Sequence, residues 1–147
     1  MNMSHVEQFL TMEEEQEIVQ AILEAERNTS GEIRVHIEAS TKIDHFSRAQ
    51  QIFHFLKMDN TKEENGVLLY VAVDDKKFVI YGDSGIDRAV PKGFWDTTRD
   101  TIADYFIKGD FKQGIIAGIL SAGKELKAHF PWDYNDTNEL SDAISKG

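Results

Sequence analysis

The chain has 147 residues, no cysteine, and 26 acidic against 16 basic side chains, for a net charge of −10. Lack of cysteine excludes disulfides, zinc–thiolate sites, iron–sulfur clusters and cysteine nucleophiles. The negative balance argues against sequence-independent binding to nucleic acid or to an anionic membrane, since both need a positive surface.

The length fits one domain, spanning residues 1–147, that buries its own core. No window approaches the roughly 20 apolar residues of a spanning helix, and Met1–Glu7 lacks the basic and apolar pattern of a secretory leader. A cytoplasmic monomer is therefore the expectation.

Thr11 followed by Glu14 is a capping-box signature. It opens a helix whose apolar positions Ile18, Val19, Ile22 and Leu23 keep the helical period. Asn28-Thr29-Ser30-Gly31 ends it. Ile33, Val35, Ile37 and Ala39 then alternate with Glu32, Arg34, His36 and Glu38, which predicts a strand with one poorly covered face, near a sheet edge. In that setting His36 reads as a solvated histidine rather than an acid–base group.

Asp44 is a suitable N-cap for a second helix carrying Ala49, Ile52, Phe53 and Leu56 on one face. The polar loop Asp59–Glu64 leads into two nearly continuous apolar runs, Val67–Val73 and Phe78–Tyr81, joined by Asp74-Asp75-Lys76-Lys77. Such runs suit strands covered on both faces, so a hairpin at the centre of the sheet is expected. Next comes a glycine-flanked acidic loop, Gly82-Asp83-Ser84-Gly85-Ile86-Asp87. After Pro91 a third helix turns Trp95, Thr98, Ile102, Tyr105 and Phe106 inward and stops at Gly109. Asp110 and Gln113 start a fourth, presenting Phe111, Ile115, Ile119, Leu126 and Phe130, with Gly114 and Gly118 suggesting close approach to the sheet. Beyond a core of about 11–130, the tail 131–147 is polar and acidic, with Trp132, Tyr134 and Leu140 available to drape it on the surface. The order α-β-α-β-β-α-α gives an α/β fold: a three-layer α/β/α sandwich around a small mixed β-sheet with a central antiparallel hairpin.

Topology then gathers acids. A right-handed crossover makes the first two strands parallel, and the tight turn makes the third antiparallel. The end of the third strand (Asp83, Asp87), the start of the first (Glu32) and the loop entering the second (Asp59, Glu63, Glu64) therefore share one edge. Carboxylates crowded there repel unless they protonate or a cation neutralises them. Calcium takes about six to eight oxygens in irregular geometry, hydroxyls such as Ser84 or Thr61 included, whereas magnesium wants fewer protein ligands. The alternative is that Asp83 and Ser84 only shape a turn. No glycine-rich phosphate loop with lysine, nucleophile elbow or calcium hand is present. His45, His54 and His129 have no metal-ligand spacing, and no histidine is placed to activate Ser84.

Four segments together resemble the TPM domain, the family named for thylakoid-lumen, photosystem-repair and modulator-of-receptor proteins. They are Ser30-Gly31-Glu32-Ile33-Arg34-Val35, Asn65-Gly66-Val67-Leu68-Leu69-Tyr70-Val71, Lys77-Phe78-Val79-Ile80-Tyr81-Gly82-Asp83, and Tyr105-Phe106 with Gly109-Asp110-Phe111 and Gly114-Ile115. The resemblance spans about Thr11 to Phe130. It implies an α/β/α sandwich, calcium binding in loops at one sheet edge, and acid phosphatase activity. Other members are commonly anchored or exported; this chain resembles a stand-alone form. Where the family often has Gly-Tyr-Gly, this chain has Gly82-Asp83-Ser84-Gly85, which adds an acid.

The leading expectation is a divalent-metal module in which one or two ions, Ca2+ or Mg2+, order the two loops through Asp83, Asp87, Glu32, Asp59, Glu63 and Glu64. The enzymatic alternative is a metal-dependent acid phosphatase acting on phosphate monoesters, with Arg88 and Lys92 as the only nearby phosphate clamps and no evident nucleophile or general base. A third reading is a metal-free module that meets a protein partner through Phe94, Trp95 and the tail.

Overall fold

The computed structural model describes residues 5–132 and 143–147. A short helix α1 (His5–Phe9) precedes Thr11, where the expected capping box closes. The Glu14 N–H donates to Thr11 Oγ1 at 3.1 Å, and the Thr11 N–H donates to Glu14 Oε1 at 2.9 Å. Helix α2 (Met12–Glu26) starts there, and beyond its end Asn28, at φ 66°, lies in the left-handed region that asparagine tolerates. Strand β1 (Glu32–Glu38) follows. Helix α3 (His45–Phe55) is capped by Asp44, which accepts from the backbone N–H of Phe46 and Ser47. Strands β2 (Gly66–Ala72) and β3 (Lys77–Gly82) form the hairpin, with Lys76 at φ 55° in its turn.

Helix α4 (Ser84–Ala89) occupies the stretch expected to be an open loop. Helices α5 (Asp96–Ile107) and α6 (Phe111–His129) complete one layer, and β4 (Ser145–Lys146) adds a short last strand. Asp110 caps α6 as expected, accepting from the Gln113 N–H at 3.4 Å.

Strand order is β3-β2-β1-β4. β1 and β2 run parallel from Glu32↔Gly66 to Glu38↔Ala72, and β2 and β3 run antiparallel from Val67↔Gly82 to Ala72↔Lys77. β4 lies parallel to β1 with Ser145 opposite His36. Alternate residues feed two cores. Ile33, Val35, Ile37, Val67, Leu69 and Val71 pack with Ile18 and Ile22 of α2, Ile102 of α5, and Ile115 and Ile119 of α6. Leu68, Tyr70 and Ala72 pack with Ala49, Ile52 and Phe53 of α3 and with Met58. The three layers are thus present, with a four-stranded mixed sheet between them.

Four details depart from the sequence expectation. β1 is an inner strand, buried on both faces, and the half-buried β3 is an edge, so of the hairpin only β2 is inner. His36 is 3% exposed, not solvated. The alternation that suggested a wet face is instead a polar row whose Glu38 is satisfied by Arg48 and Tyr70 and whose His36 meets Ser145 through Nδ1, since buried polar groups are cheap only when hydrogen-bonded. Third, the glycines of α6 approach helices rather than the sheet. A Cβ on Gly114 would meet the Phe106 ring at 2.8 Å, and one on Gly118 would meet Ile102 at 2.5 Å. Fourth, Asp83 ends a strand only to begin a helix. Of the tail residues, Trp132 is tied back by its N–H to the Asn28 carbonyl at 2.9 Å; Tyr134 and Leu140 lie outside the described residues.

Candidate functional site

The edge where β1 and β2 begin and β3 ends is assembled by backbone bonds. The Asp83 N–H donates to the Gly66 carbonyl at 2.9 Å, and Gly66 is in register with Glu32. Glu32, Gly66 and Asp83 therefore form a row across three strands. The Gly85 N–H donates to the Glu64 carbonyl at 2.8 Å, bringing the start of α4 onto the loop that enters β2. That contact is tight: a Cβ on Gly85 would lie 2.5 Å from the Glu64 carbonyl oxygen and closer still to that of Glu63. The two acidic loops run past each other as the topology required.

The loop is held from within. Asn65 is fully buried; its N–H donates to Thr61 Oγ1 at 3.2 Å, and its Nδ2 donates to Ser30 Oγ at 3.1 Å and to Glu63 Oε2 at 3.2 Å. Ser30 also donates to Glu63. This Ser30–Glu63–Asn65–Thr61 knot was not foreseen as a support of the site, and its trace in the sequence is only the Ser30-Gly31 and Asn65-Gly66 steps that open the two parallel strands.

The six acids expected to share a metal are not equivalent. Asp83 caps α4: the Ser84 N–H donates to its Oδ1 at 2.7 Å, while its Oδ2 is buried and accepts no hydrogen bond among the described residues. Burial pushes the Asp83 carboxyl above the usual aspartate value; the Ser84 N–H opposes that, and the negative charges of Glu64 and Asp59 add to the rise. Glu64, at φ 52°, pairs with Arg88 at 2.6 Å, and that bond, then Ser84, holds its carboxyl below the usual range. Asp59 pairs with His54 at 3.0 Å. Asp87 is exposed on α4; after burial, Asp83 and then Asp87 raise the Tyr81 hydroxyl.

Asp83, Glu64 and Asp59 are thus gathered within each other's fields, with Asp87 beside them. Glu63 is turned onto Ser30 and Asn65. Glu32 is buried and lines a separate cavity of about 370 Å³ with Glu26, Arg27 and Trp132. Among the described residues no three His, Asp or Glu side chains already stand in metal-binding array. The donors at this edge are nonetheless all hard oxygens, carboxylate and carbonyl, which suits calcium or magnesium rather than a softer metal. Of the two phosphate clamps expected, Arg88 is engaged by Glu64, and Lys92 lines a neighbouring hollow with Asp87 and Arg99.

At the opposite edge the polar row of β1 closes on itself. Arg48 of α3 donates from Nε and Nη2 to the two oxygens of Glu38, both at 2.9 Å, and Tyr70 Oη donates to Glu38 as well. His36 Nδ1 lies 3.0 Å from Ser145 Oγ, and its Nε2 lies 3.5 Å from Glu38. Burial lowers the His36 pKa more than Glu38 raises it. Burial would lift the Glu38 carboxyl, but the Arg48 and Tyr70 bonds together bring it below its ordinary value.

The TPM domain matches residues 4–125 of this chain. The chain belongs to the TPM domain family. The solved structure of the BA42 protein from the psychrophilic bacterium Bizionia argentinensis is 59% identical, with a TM-score of 0.91 over 99% of this chain and 100% of that one. Two more distant structures share the fold. The N-terminal domain of the cg2496 protein of Corynebacterium glutamicum has a TM-score of 0.65 at 14% identity, over 87% of this chain and 80% of that one. The N-terminal domain of a P. gingivalis protein reaches 0.67 at 19%, over 85% and 83%. No curated protein matches. The family resemblance and the α/β architecture read from the four segments are therefore correct. No helix of this TPM domain among the described residues is long and apolar enough to cross a membrane.

Proposed function

We propose that this TPM domain binds a divalent cation, calcium in preference to magnesium, between the loops 59–64 and 82–87, and that the ion orders them. The observation that carries this reading is Asp83. One of its oxygens is committed to the α4 cap, and the other is buried without a hydrogen bond among the described residues, in the field of Glu64 and Asp59. An unsatisfied buried acceptor under like-charge stress marks a place for an ion or an ordered water. Asp83 Oδ2 is the first ligand, with Glu64 and Asp59 as further carboxylates and the carbonyls of Glu63 and Glu64 as neutral oxygens. Because Glu64 is paired with Arg88, the ion competes with that guanidinium for it.

The same competition supports the enzymatic alternative. A cation held by Glu64 would leave Arg88 free to bind a phosphate monoester, and such an ion would supply Lewis-acid polarisation of the phosphoryl group.

The test is a calcium and magnesium titration of chelator-stripped protein followed by residue-resolved NMR. Saturable shifts confined to residues 59–64 and 82–89, lost in Asp83→Ala, are expected; flat spectra at millimolar metal would refute the reading. Release of phosphate from an aryl phosphate that falls in both Asp83→Ala and Arg88→Ala would extend it to catalysis.

A further inference from the structure

A second site lies at the other end of the sheet and does not depend on the metal reading. A cavity of about 740 Å³ opens beyond the carboxyl end of β2, where Val71, Ala72 and Val73 form its floor. Open α/β sheets bind ligands characteristically in the crevice outside the carboxyl ends of their parallel strands. The volume falls within the roughly 300–1,000 Å³ of small-molecule sites.

Its walls are aromatic. Phe106 and Phe111 meet edge-to-face with centroids 5.3 Å apart, Phe9 of α1 lies tilted against Phe111 at 4.7 Å, and Phe78 backs Phe106 at 5.3 Å. Among the described residues the ionisable side chains lining the cavity are Asp74 and Lys76 in the β2–β3 turn and Lys77 at the start of β3. The lining is thus positive at one end on a protein whose net charge is −10. Neither lysine makes an ion pair with a carboxylate among the described residues, whereas Lys112 and Lys146 each hold a glutamate. Ile107, 85% exposed, stands at the rim as apolar surface that no described residue covers.

We propose that this cavity binds an apolar carboxylate, of the size and class of a medium-chain fatty acid, with its chain among the phenylalanines and its head against Lys76 and Lys77. The apolar walls set the affinity for the chain, and the two ammonium groups select the sign of the head. Neutral and cationic heads of the same chain length lose that contribution. A cationic head, moreover, meets like charge from both lysines.

The test uses labelled full-length protein in calcium-free buffer, titrated below the micelle concentration with decanoate, 1-decanol and decyltrimethylammonium. Decanoate should shift the amides of residues 71–77 and 106–111 saturably, binding about five-fold or more tighter than the other two, as two partly exposed charge contacts permit. Lys76→Gln with Lys77→Gln should erase that preference while leaving decanol binding unchanged. Ile107→Glu, at an exposed position that leaves folding intact, should weaken decanoate alone. Absence of saturable shifts overturns the site, and equal affinity for all three heads overturns the choice of an anion. Dilution-sensitive shifts at 106–111, matched by self-association in sedimentation, would assign the groove to a second copy of the chain and also overturn the proposal.

Discussion

Gly85→Ala probes the joint between the two acidic loops. Its added methyl would stand 2.5 Å from the Glu64 carbonyl oxygen and nearer still to that of Glu63, both of them backbone atoms. Neither can swing aside as a side-chain tip would, so the loops must part by about 1 Å to restore ordinary contact, which overpacked sites resist at a cost of about 1–3 kcal/mol. Parting also stretches the 2.8 Å bond from the Gly85 N–H to Glu64, worth about 1 kcal/mol net. It lifts Ile86, fully buried in the main core, as well. Gains from replacing a helical glycine are about 1 kcal/mol, and the clash exceeds them. The expected balance is a loss of about 2 kcal/mol in urea unfolding, with weaker calcium binding because Asp83 and Glu64 no longer face each other. Stability within about 0.5 kcal/mol of the parent, together with unchanged calcium shifts, would show that α4 does not rest on the loop and would refute the reasoning.

Three further substitutions test the charges and the packing. Asp83→Asn keeps an N-cap, since asparagine caps as well as aspartate, but removes the charge opposed by Glu64 and Asp59. The metal-free variant should match the parent or gain up to about 1 kcal/mol at neutral pH, since exposed-edge repulsions are screened, and should lose its calcium response. Because the folded state raises the Asp83 pKa, the parent loses stability as pH climbs from the unfolded value through the folded one, and this loss should be missing in the variant. His36 runs the other way. Its folded pKa is lowered below 6.5, so the unfolded chain takes up the proton first, and stability falls with decreasing pH from 6.5 down to the folded pKa. That slope, at most about 1.4 kcal/mol per pH unit, should vanish in His36→Gln. Burial sets the lowering, Glu38 opposes it, and Arg48 and Arg34 add to it; an imidazole titrating by NMR at or above 6.5 would refute it. Gly123→Ala sets a methyl 2.5 Å from Ala25 Cβ and 2.7 Å from the Ala25 carbonyl oxygen, so α2 and α6 must separate. A loss of about 1–3 kcal/mol is expected in thermal or urea unfolding, partly restored by Ala25→Gly; a more stable Gly123→Ala would show that the helices yield freely.

What the sequence revealed follows the range of each interaction. Thr11 with Glu14, Asp44 at the head of α3 and Asp110 at that of α6 act within three residues, and all were legible. So was the meeting of residues 59–64 with 82–87, because the handedness of one crossover and the tightness of one turn decide it without any side chain. The burial of β1 was not. Arg34, His36 and Glu38 look like a wetted face until Arg48, ten positions after Glu38, and Tyr70, thirty-two after it, supply bonds to Glu38, and Ser145 meets His36. Helix α4 has six residues, too few to show a period, and Gly82 and Gly85 disguised it as a loop.

Gly85 marks where the reading of the site itself changes. Its backbone is not in the left-handed region, where only Gly93 and Gly109 lie among the glycines, so it is small for room and not for freedom. The carbonyls of Glu63 and Glu64 fill that room. The acidic edge is consequently less a ring of carboxylates than a seam of backbone oxygens with Asp83 at its head. Glu63 serves the Ser30–Asn65 knot, Glu64 holds Arg88, and Glu32 faces another cavity. A cation arriving there gains most from Asp83 and the carbonyls. Removing Asp83 should therefore cost far more affinity than removing Glu63 or Glu32, and a calcium titration of the three alanine variants separates a seam from a ring.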